Sequence, residues 1–528
     1  MESQSASRSI AARWPALAVA AAIVAGGCWL RFDHIGGPYA QPDEPVACYV
    51  VSRVLSSGNF DTNWAHTQVR VEGGVPQYNF SSYFITLSLL ERLRGMTRPH
   101  PEAETIEERI VFYRGCSAAF GTLALALAML LAYRIRGWRL ALVAGLWMAV
   151  NPLLVQDSHY ARPEAFLTLL TLGLLWTCLS WHGAPGRRSF AAGLLFGLLI
   201  ACKVTLSLWF WLPLMACFQG AGEWTRCTWR TRLARAGLVA AGAIGGFAAG
   251  APRAVADLGG YLNGLRYLKN GYAGTFNFYS HDSGAMVWDF LGRYLVATAG
   301  WGLACLFAAG AAHAAARRQW RQLLMIYLPA VSLVAFMGVQ RSFFERNLSH
   351  AIPLYLLGAG LGLAALTEWD PLRRWSRPLF AAFAVAAALA PAALTGRLVL
   401  EGFPGRFEKL RVSELAGILA SIKPRVPDAA HLVTAASDRD LWFQRRWEVS
   451  PATYVVLWQD VNPEVTRECL RRLHERFEFE ELAVLPGLFD DLPGPNTLRD
   501  YLGRTVRVLV FHGVRGSPPG ADGSRPPR

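Results

Sequence analysis

The sequence predicts an all-α polytopic membrane protein of about eleven transmembrane helices, followed by a small C-terminal α/β domain on the extracytoplasmic side. Three observations carry this. Hydrophobic residues make up 53% of the chain and charged residues only 17%, whereas soluble domains carry about 25% charge. The apolar residues are gathered into runs such as Trp14–Leu30, Phe112–Tyr133 and Phe290–Ala316, long enough to cross roughly 30 Å of hydrocarbon at about 1.5 Å per residue. The basic residues fall between these runs. A net charge of +14 and a pI near 9.6 therefore reflect loop arginines and no nucleic-acid-binding stripe.

In chain order the spans read 14–30, 112–133, 138–155, 164–181, 189–201, 204–218, 236–251, 290–314, 323–338, 351–366 and 378–395. The fifth and sixth are short, separated only by Cys202-Lys203, and read equally as one broken helix. Arg8 and Arg13 precede the first run, which is read as a retained span and not as a cleaved signal. With the N-terminus cytoplasmic, the inner links hold seventeen arginines and the short outer links seven lysines or arginines. That bias sets the orientation. Eleven crossings then put the C-terminus outside.

The expected organisation is a transmembrane domain over 1–400, an extracytoplasmic α/β domain over 401–512 and a disordered tail over 513–528. Within the first, the loop 31–111 carries two amphipathic segments, around Val46, Tyr49, Val50 and Val54 and around Phe80, Tyr83, Phe84, Leu87 and Leu90. Their spacing predicts helices lying in the interface with aromatic faces in the headgroups. In the C-terminal part, helix-like stretches at Phe407–Ile422 and Pro463–Phe477 alternate with β-like runs at His431–Ala435, Tyr454–Trp458, Leu482–Leu485 and Val506–Phe511. The nine cysteines include no CxxC and form no disulfide framework.

The chemistry-bearing residues gather at the outer ends of spans. Asp43 and Glu44 follow the first span, and Pro45 suits the first turn of a helix. The pair then serves either to cap that helix or to act on a substrate. Asp157, His159, Arg162 and Glu164 lie between the third and fourth spans, as an ion-pair cluster or as a site. Lys203, at the break between two apolar segments, either snorkels or presents a cation. Arg346, beside Glu345, pairs with that acid or clamps a phosphate. His281-Asp282 sits in a Gly- and Tyr-rich loop that reads as a turn, and His66 and His350 have no evident partner. Collection of acids and cations on one side suits an interfacial enzyme, whereas a transporter holds polar groups nearer the bilayer midplane.

Four segments, in order and on one side, resemble the GT-C superfamily of polyprenyl-phosphate-sugar-dependent glycosyltransferases. The nearer resemblance is to the bacterial family 39 branch, with protein mannosyltransferases and the aminoarabinose transferase of lipid A. They are Pro42-Asp43-Glu44, His159-Tyr160-Ala161-Arg162-Pro163-Glu164, Gly197–Lys203, and Phe344-Glu345-Arg346-Asn347-Leu348 with Pro353. Relatives often carry a Lys-Pro-Pro run where this chain has Val75-Pro76-Gln77-Tyr78-Asn79.

The resemblance implies an inverting transfer in which Asp43, with Glu44 beside it, acts on the acceptor hydroxyl. Lys203 and Arg346 would hold the donor phosphate, with Arg162 setting the local charge. Asp157, His159 and Glu164 would form a second acidic site that orients the acceptor or holds a divalent metal ion. It also implies a bacterial inner membrane, an undecaprenyl-type carrier, and a glycan, lipid or protein acceptor in the cell envelope. A lipid or polysaccharide transporter is the alternative.

Overall fold

The computed structural model describes residues 14–37, 44–67, 74–96, 104–179, 184–218, 228–273, 295, 298, 300–340, 345–367 and 376–404. Beyond these it describes 413–418, 420, 432–435, 453–458, 470–471, 473–475, 477–489 and 505–514. The chain divides into two compact units, the first ending at Val399 and the second beginning at Leu400.

The first unit is helical. Its elements are α1 (Trp14–Phe32), α2 (Glu44–Ser57), α3 (Ser81–Gly95), α4 (Ile106–Arg136), α5 (Trp138–Ala149), α6 (Pro152–Ser158), α7 (Glu164–Leu179), α8 (Pro185–Cys202) and α9 (Trp211–Met215). There follow α10 (Trp229–Gly250), α11 (Pro252–Ala256), α12 (Leu258–Ala273) and α13 (Trp301–Ala316). The last three are α14 (Trp320–Gly338), which contains one π turn, α15 (Ile352–Thr367) and α16 (Ser376–Arg397). Among the described residues, six helices are long and apolar enough to cross a membrane, and α5 with α6 makes a seventh broken by a 63° bend. The chain is a multi-pass membrane protein.

Local chemistry explains the starts and breaks. Thr105 opens α4 with a reciprocal capping box, its hydroxyl accepting from the Glu108 N–H while the Glu108 carboxylate accepts from the Thr105 N–H. At the α5–α6 bend, Pro152 cannot continue the helical ladder, and the Asn151 side chain caps the new helix by accepting from the Leu154 N–H. The bend leaves carbonyls of α5 without helical partners. Buried Arg31 donates to the Met148 and Ala149 oxygens and so satisfies them.

The fifth and sixth apolar segments are two legs of the fold and not one broken helix. Gly193 and Gly197 of α8 face α10 so closely that a Cβ on either would stand 2.1 Å from the Val239 or Ala243 carbonyl oxygen. Gly242 and Gly246 of α10 meet α8 in the same way, a glycine seam of the kind that lets membrane helices approach at the backbone. The contacts advance four residues together on both helices, so α8 and α10 run parallel. The chain must therefore return between them. It does so through the 3₁₀ turn Val204–Trp209 and α9. Ala216 O then accepts from Arg188 near the start of α8, and Cys217 O from Arg235 near the start of α10.

The two amphipathic helices of the first loop do form, but not as the pattern predicts. Val46, Val50 and Val54 of α2 and Tyr83, Phe84 and Leu87 of α3 are buried in the protein core. Their apolar faces meet other helices and not headgroups. Periodicity reports an apolar face without reporting what covers it.

The second unit holds a four-stranded sheet in the order β1-β2-β4-β3, with β1 (Leu432–Ala435), β2 (Thr453–Trp458), β3 (Phe477–Leu485) and β4 (Val506–Val514). The β1–β2 pair is parallel and the others antiparallel. Strand β3 starts five residues earlier than expected. In Phe477-Glu478-Phe479-Glu480 the phenylalanines turn inward and the glutamates outward, a period of two. The described part of the preceding helix ends at Glu475.

Candidate active site

Two clusters of charge lie where the first loop, the α6–α7 turn and the ends of α8 and α14 meet. One is closed. Glu44, the first residue of α2, is fully buried and accepts two hydrogen bonds from Arg114 of α4, Nε to Oε1 at 2.8 Å and Nη2 to Oε2 at 2.6 Å. Glu44 Oε1 also accepts from the Ala161 N–H at 2.7 Å. The Arg114 guanidinium lies 5.6 Å from the centroid of the Tyr160 ring. This fork-to-fork pair ties α2 to α4 and to the α6–α7 turn.

The other cluster is open. A cavity of about 570 Å³ is lined by Asn79, Glu164, Lys203, Arg346 and Asn347 on its polar side. Leu208, Leu265, Leu268, Phe336 and Met337 line its apolar walls, with Lys269 also at the wall. Lys203 follows the last residue of α8, where the chain turns extended, and its Nζ donates to Asn347 Oδ1 at 2.9 Å. That partner is a neutral amide and cancels no charge. Glu164 opens α7, and its Oε1 accepts from Arg162 Nη2 at 3.3 Å while its Oε2 has no hydrogen-bond partner. Arg162 thus offsets the Glu164 charge. Among the described lining residues, the charged side chains are Lys203, Arg346, Lys269 and Glu164.

The loop that closes one wall is held by its own polar network. The Phe80 N–H donates to Cys202 O at 2.8 Å, anchoring the start of α3 to the end of α8. Asn79 O accepts from the Trp64 indole at 3.2 Å. Tyr78 donates to Asp257 Oδ2 at 2.7 Å. Burial and this bond both push the Tyr78 phenol up, while Asp257 is held low by Tyr78 and by the Gly260 N–H. Burial pushes the Asp61 carboxyl up, but hydrogen bonds from His66, Arg53 and the Asn63 N–H outweigh it and hold Asp61 below its ordinary value.

Glu164, Lys203 and Arg346 come together at the cavity, while the lining does not include Arg162. Glu44 is placed beside Arg114 instead. Asp157 is buried in α6 with Oδ2 unpartnered, and the cavity lining does not include it. His159 directs Nδ1 to Val155 O and Nε2 to Asp33 O, both at 2.9 Å. Both ring nitrogens of His159 are thus directed at backbone carbonyl oxygens and not into a site shared with Asp157 and Glu164. Among the described residues no group of three or more His, Cys, Asp or Glu side chains is disposed to hold a metal ion. Asp43, Arg341 and the His281-Asp282 pair lie outside the described residues. Sequence reasoning missed Arg114, Asn347 and Lys269. The signal for Arg114 was an arginine inside an apolar run, which needs a partner.

No family model matches the chain, and no curated protein matches it. Among solved structures, it is similar to ArnT from Cupriavidus metallidurans in the apo state, at 16% identity and a TM-score of 0.47, over 95% of this chain and 98% of that one. The same protein bound to undecaprenyl phosphate gives 14% identity and a TM-score of 0.44, over 94% and 97%. The Archaeoglobus fulgidus oligosaccharyltransferase in its apo form gives 14% identity and a TM-score of 0.45, over 73% of this chain and 56% of that chain.

Proposed function

We propose that the protein is a glycosyltransferase that moves a sugar from a polyprenyl-phosphate donor to an acceptor hydroxyl at the membrane surface, with inversion. The observation that carries this reading is the cavity, which joins apolar walls to a cationic end. Leu208, Leu265, Phe336 and Met337 would receive the first isoprene units, and Lys203 and Arg346 the phosphate.

The acceptor oxygen attacks the anomeric carbon as the bond from that carbon to the phosphate oxygen breaks. The electron pair stays on the phosphate, where Lys203 and Arg346 stabilise the growing charge. The acceptor proton passes to a carboxylate, for which Asp43 is proposed from its place after the first span in the sequence. Glu164, restrained by Arg162, stands at the same wall and orients the acceptor. The carrier is of the undecaprenyl type, the acceptor a cell-envelope glycan, lipid or protein, and the membrane the bacterial inner one, with a cytoplasmic N-terminus.

The test is transfer of labelled sugar from a panel of polyprenyl-phosphate sugars by purified protein, beside Asp43→Asn. Product from wild type and a loss of at least about 100-fold in a folded Asp43→Asn variant are expected. Full activity in Asp43→Asn would remove the base from Asp43, and absence of any donor turnover would remove the reading itself.

A further inference from the structure

The first loop carries a second polar device, built from residues the transfer mechanism does not use. Asp61 is almost fully buried, with 2% of its side chain exposed. Its Oδ2 accepts from His66 Nδ1 at 2.7 Å and from Arg53 Nε at 2.9 Å, and its Oδ1 accepts from the Asn63 N–H at 3.1 Å. A carboxylate accepts only, so His66 Nδ1 carries a proton in this arrangement, and in the neutral ring Nε2 presents a lone pair. Asn63 Nδ2 lies 3.4 Å from Nε2, a long contact that leaves the lone pair weakly engaged. The ring itself is 43% exposed. A buried carboxylate thus holds an imidazole in one tautomer with its accepting nitrogen reachable from solvent.

The device is tied to the cavity wall. Trp64, two residues before His66, donates its indole N–H to Asn79 O and lies 5.7 Å from the Phe80 ring. Asn79 and Phe80 both line the cavity. The Trp64 N–H donates to Gln77 O, the Gln77 N–H to Asn63 Oδ1, and Thr62 Oγ1 bonds Ser81 Oγ at 2.7 Å. Four cross-links therefore fix the 61–66 turn against the segment that forms the wall. Among the described residues, the charged and titratable groups near His66 include Asp61 on its own turn, Arg53 at the end of α2, and Tyr78 and Asp257 across the wall segment. A half-buried indole two residues from an imidazole on the same turn suits a ligand that has an apolar face and hydroxyl donors.

We infer that the Asp61–His66 pair with Trp64 forms the acceptor subsite, in which His66 Nε2 accepts a hydrogen bond from a hydroxyl of an incoming saccharide. The inference rests on the proposed transferase activity and names the class of its acceptor. His66 binds; it does not take the proton in transfer.

The experiment uses the purified full chain in lipid nanodiscs, labelled undecaprenyl-phosphate sugar as donor and octyl β-glucoside as the acceptor probe. Donor loss and glycoside product are followed separately for wild type, His66→Ala, His66→Gln and Asp61→Asn. His66→Ala should raise the KM for the glucoside about tenfold, the worth of one hydrogen bond, with the donor KM and kcat at saturation unchanged. His66→Gln, which retains an accepting atom, should recover most of that loss, and Asp61→Asn should fall between. An unchanged acceptor KM in folded His66→Ala overturns the subsite while leaving the transferase reading intact. So does donor turnover with no transfer to the glucoside, or a KM increase shared by the donor. Tight Zn²⁺ binding abolished by His66→Ala, with no change in acceptor KM, would reassign the pair to a metal. No donor turnover by wild type would instead break the transferase reading.

Discussion

Arg114 is a buried cation and Lys203 a half-buried one, and the protein treats them oppositely. Arg114 meets a carboxylate with matching geometry, and Glu44 is spent on it and on the Ala161 N–H. Lys203 meets the neutral Asn347 amide and looks into a cavity. A buried charge whose partner is complete serves position, because nothing further can approach it. A half-buried charge held by a dipole keeps its field for an anion that arrives later. The first cluster therefore fixes α2, α4 and the α6–α7 turn, and the second is the cationic wall that the proposed function assigns to the donor phosphate.

The comparison breaks most visibly at Arg114. Arg114→Met should leave Glu44 as an uncompensated buried acid and cost about 3–5 kcal/mol of stability, read as a lower Tm in detergent. Adding Glu44→Gln to Arg114→Met should return much of that loss. A double variant as unstable as the single one would mean that the ion pair is not what holds the three elements. At Lys203 the opposite pattern is expected. Lys203→Met should lower transfer about 100-fold or more while leaving Tm unchanged or raised, since a desolvated charge is removed. A large Tm loss there would make Lys203 structural as well.

The smallest effect concerns the loop. The Asp61 carboxyl is held below its ordinary value of 3.8. A group with a lowered folded-state value stabilises the fold above its unfolded value, and that contribution fades as pH falls through the folded one. The 58–67 segment should therefore lose about 1 kcal/mol or less of protection below about pH 4. Amide hydrogen exchange at Asn63 and Ala65 measures it, and Asp61→Asn should flatten the dependence.

Much of the bundle was legible because apolar runs of about twenty residues have few other uses. The sixth apolar segment was ambiguous, since a 3₁₀ turn and a five-residue helix leave a weak periodic signal. The glycines that decide it were present in Gly193-Leu-Leu-Phe-Gly197 and Gly242-Ala-Ile-Gly-Gly246. Their spacing announces close packing but not the partner. Glu44 was legible as a chemically important acid, but its partner seventy residues away was not, because ion pairing across a fold leaves no local pattern. Lys203, Arg346 and Glu164 were found by their positions at span ends. Asn347, a neutral residue that sets the behaviour of Lys203, was not singled out. In the second unit, the alternation Phe477-Glu478-Phe479-Glu480 marked a strand that a helical reading of 463–477 absorbed.

The most direct test of the phosphate cavity is the affinity of the purified protein for undecaprenyl phosphate, compared with that of Lys203→Met. The account predicts binding by wild type that weakens at least about tenfold in the variant, as expected on losing one charge-assisted contact, with Arg114 and its Tm undisturbed. Equal affinity in wild type and Lys203→Met would contradict it.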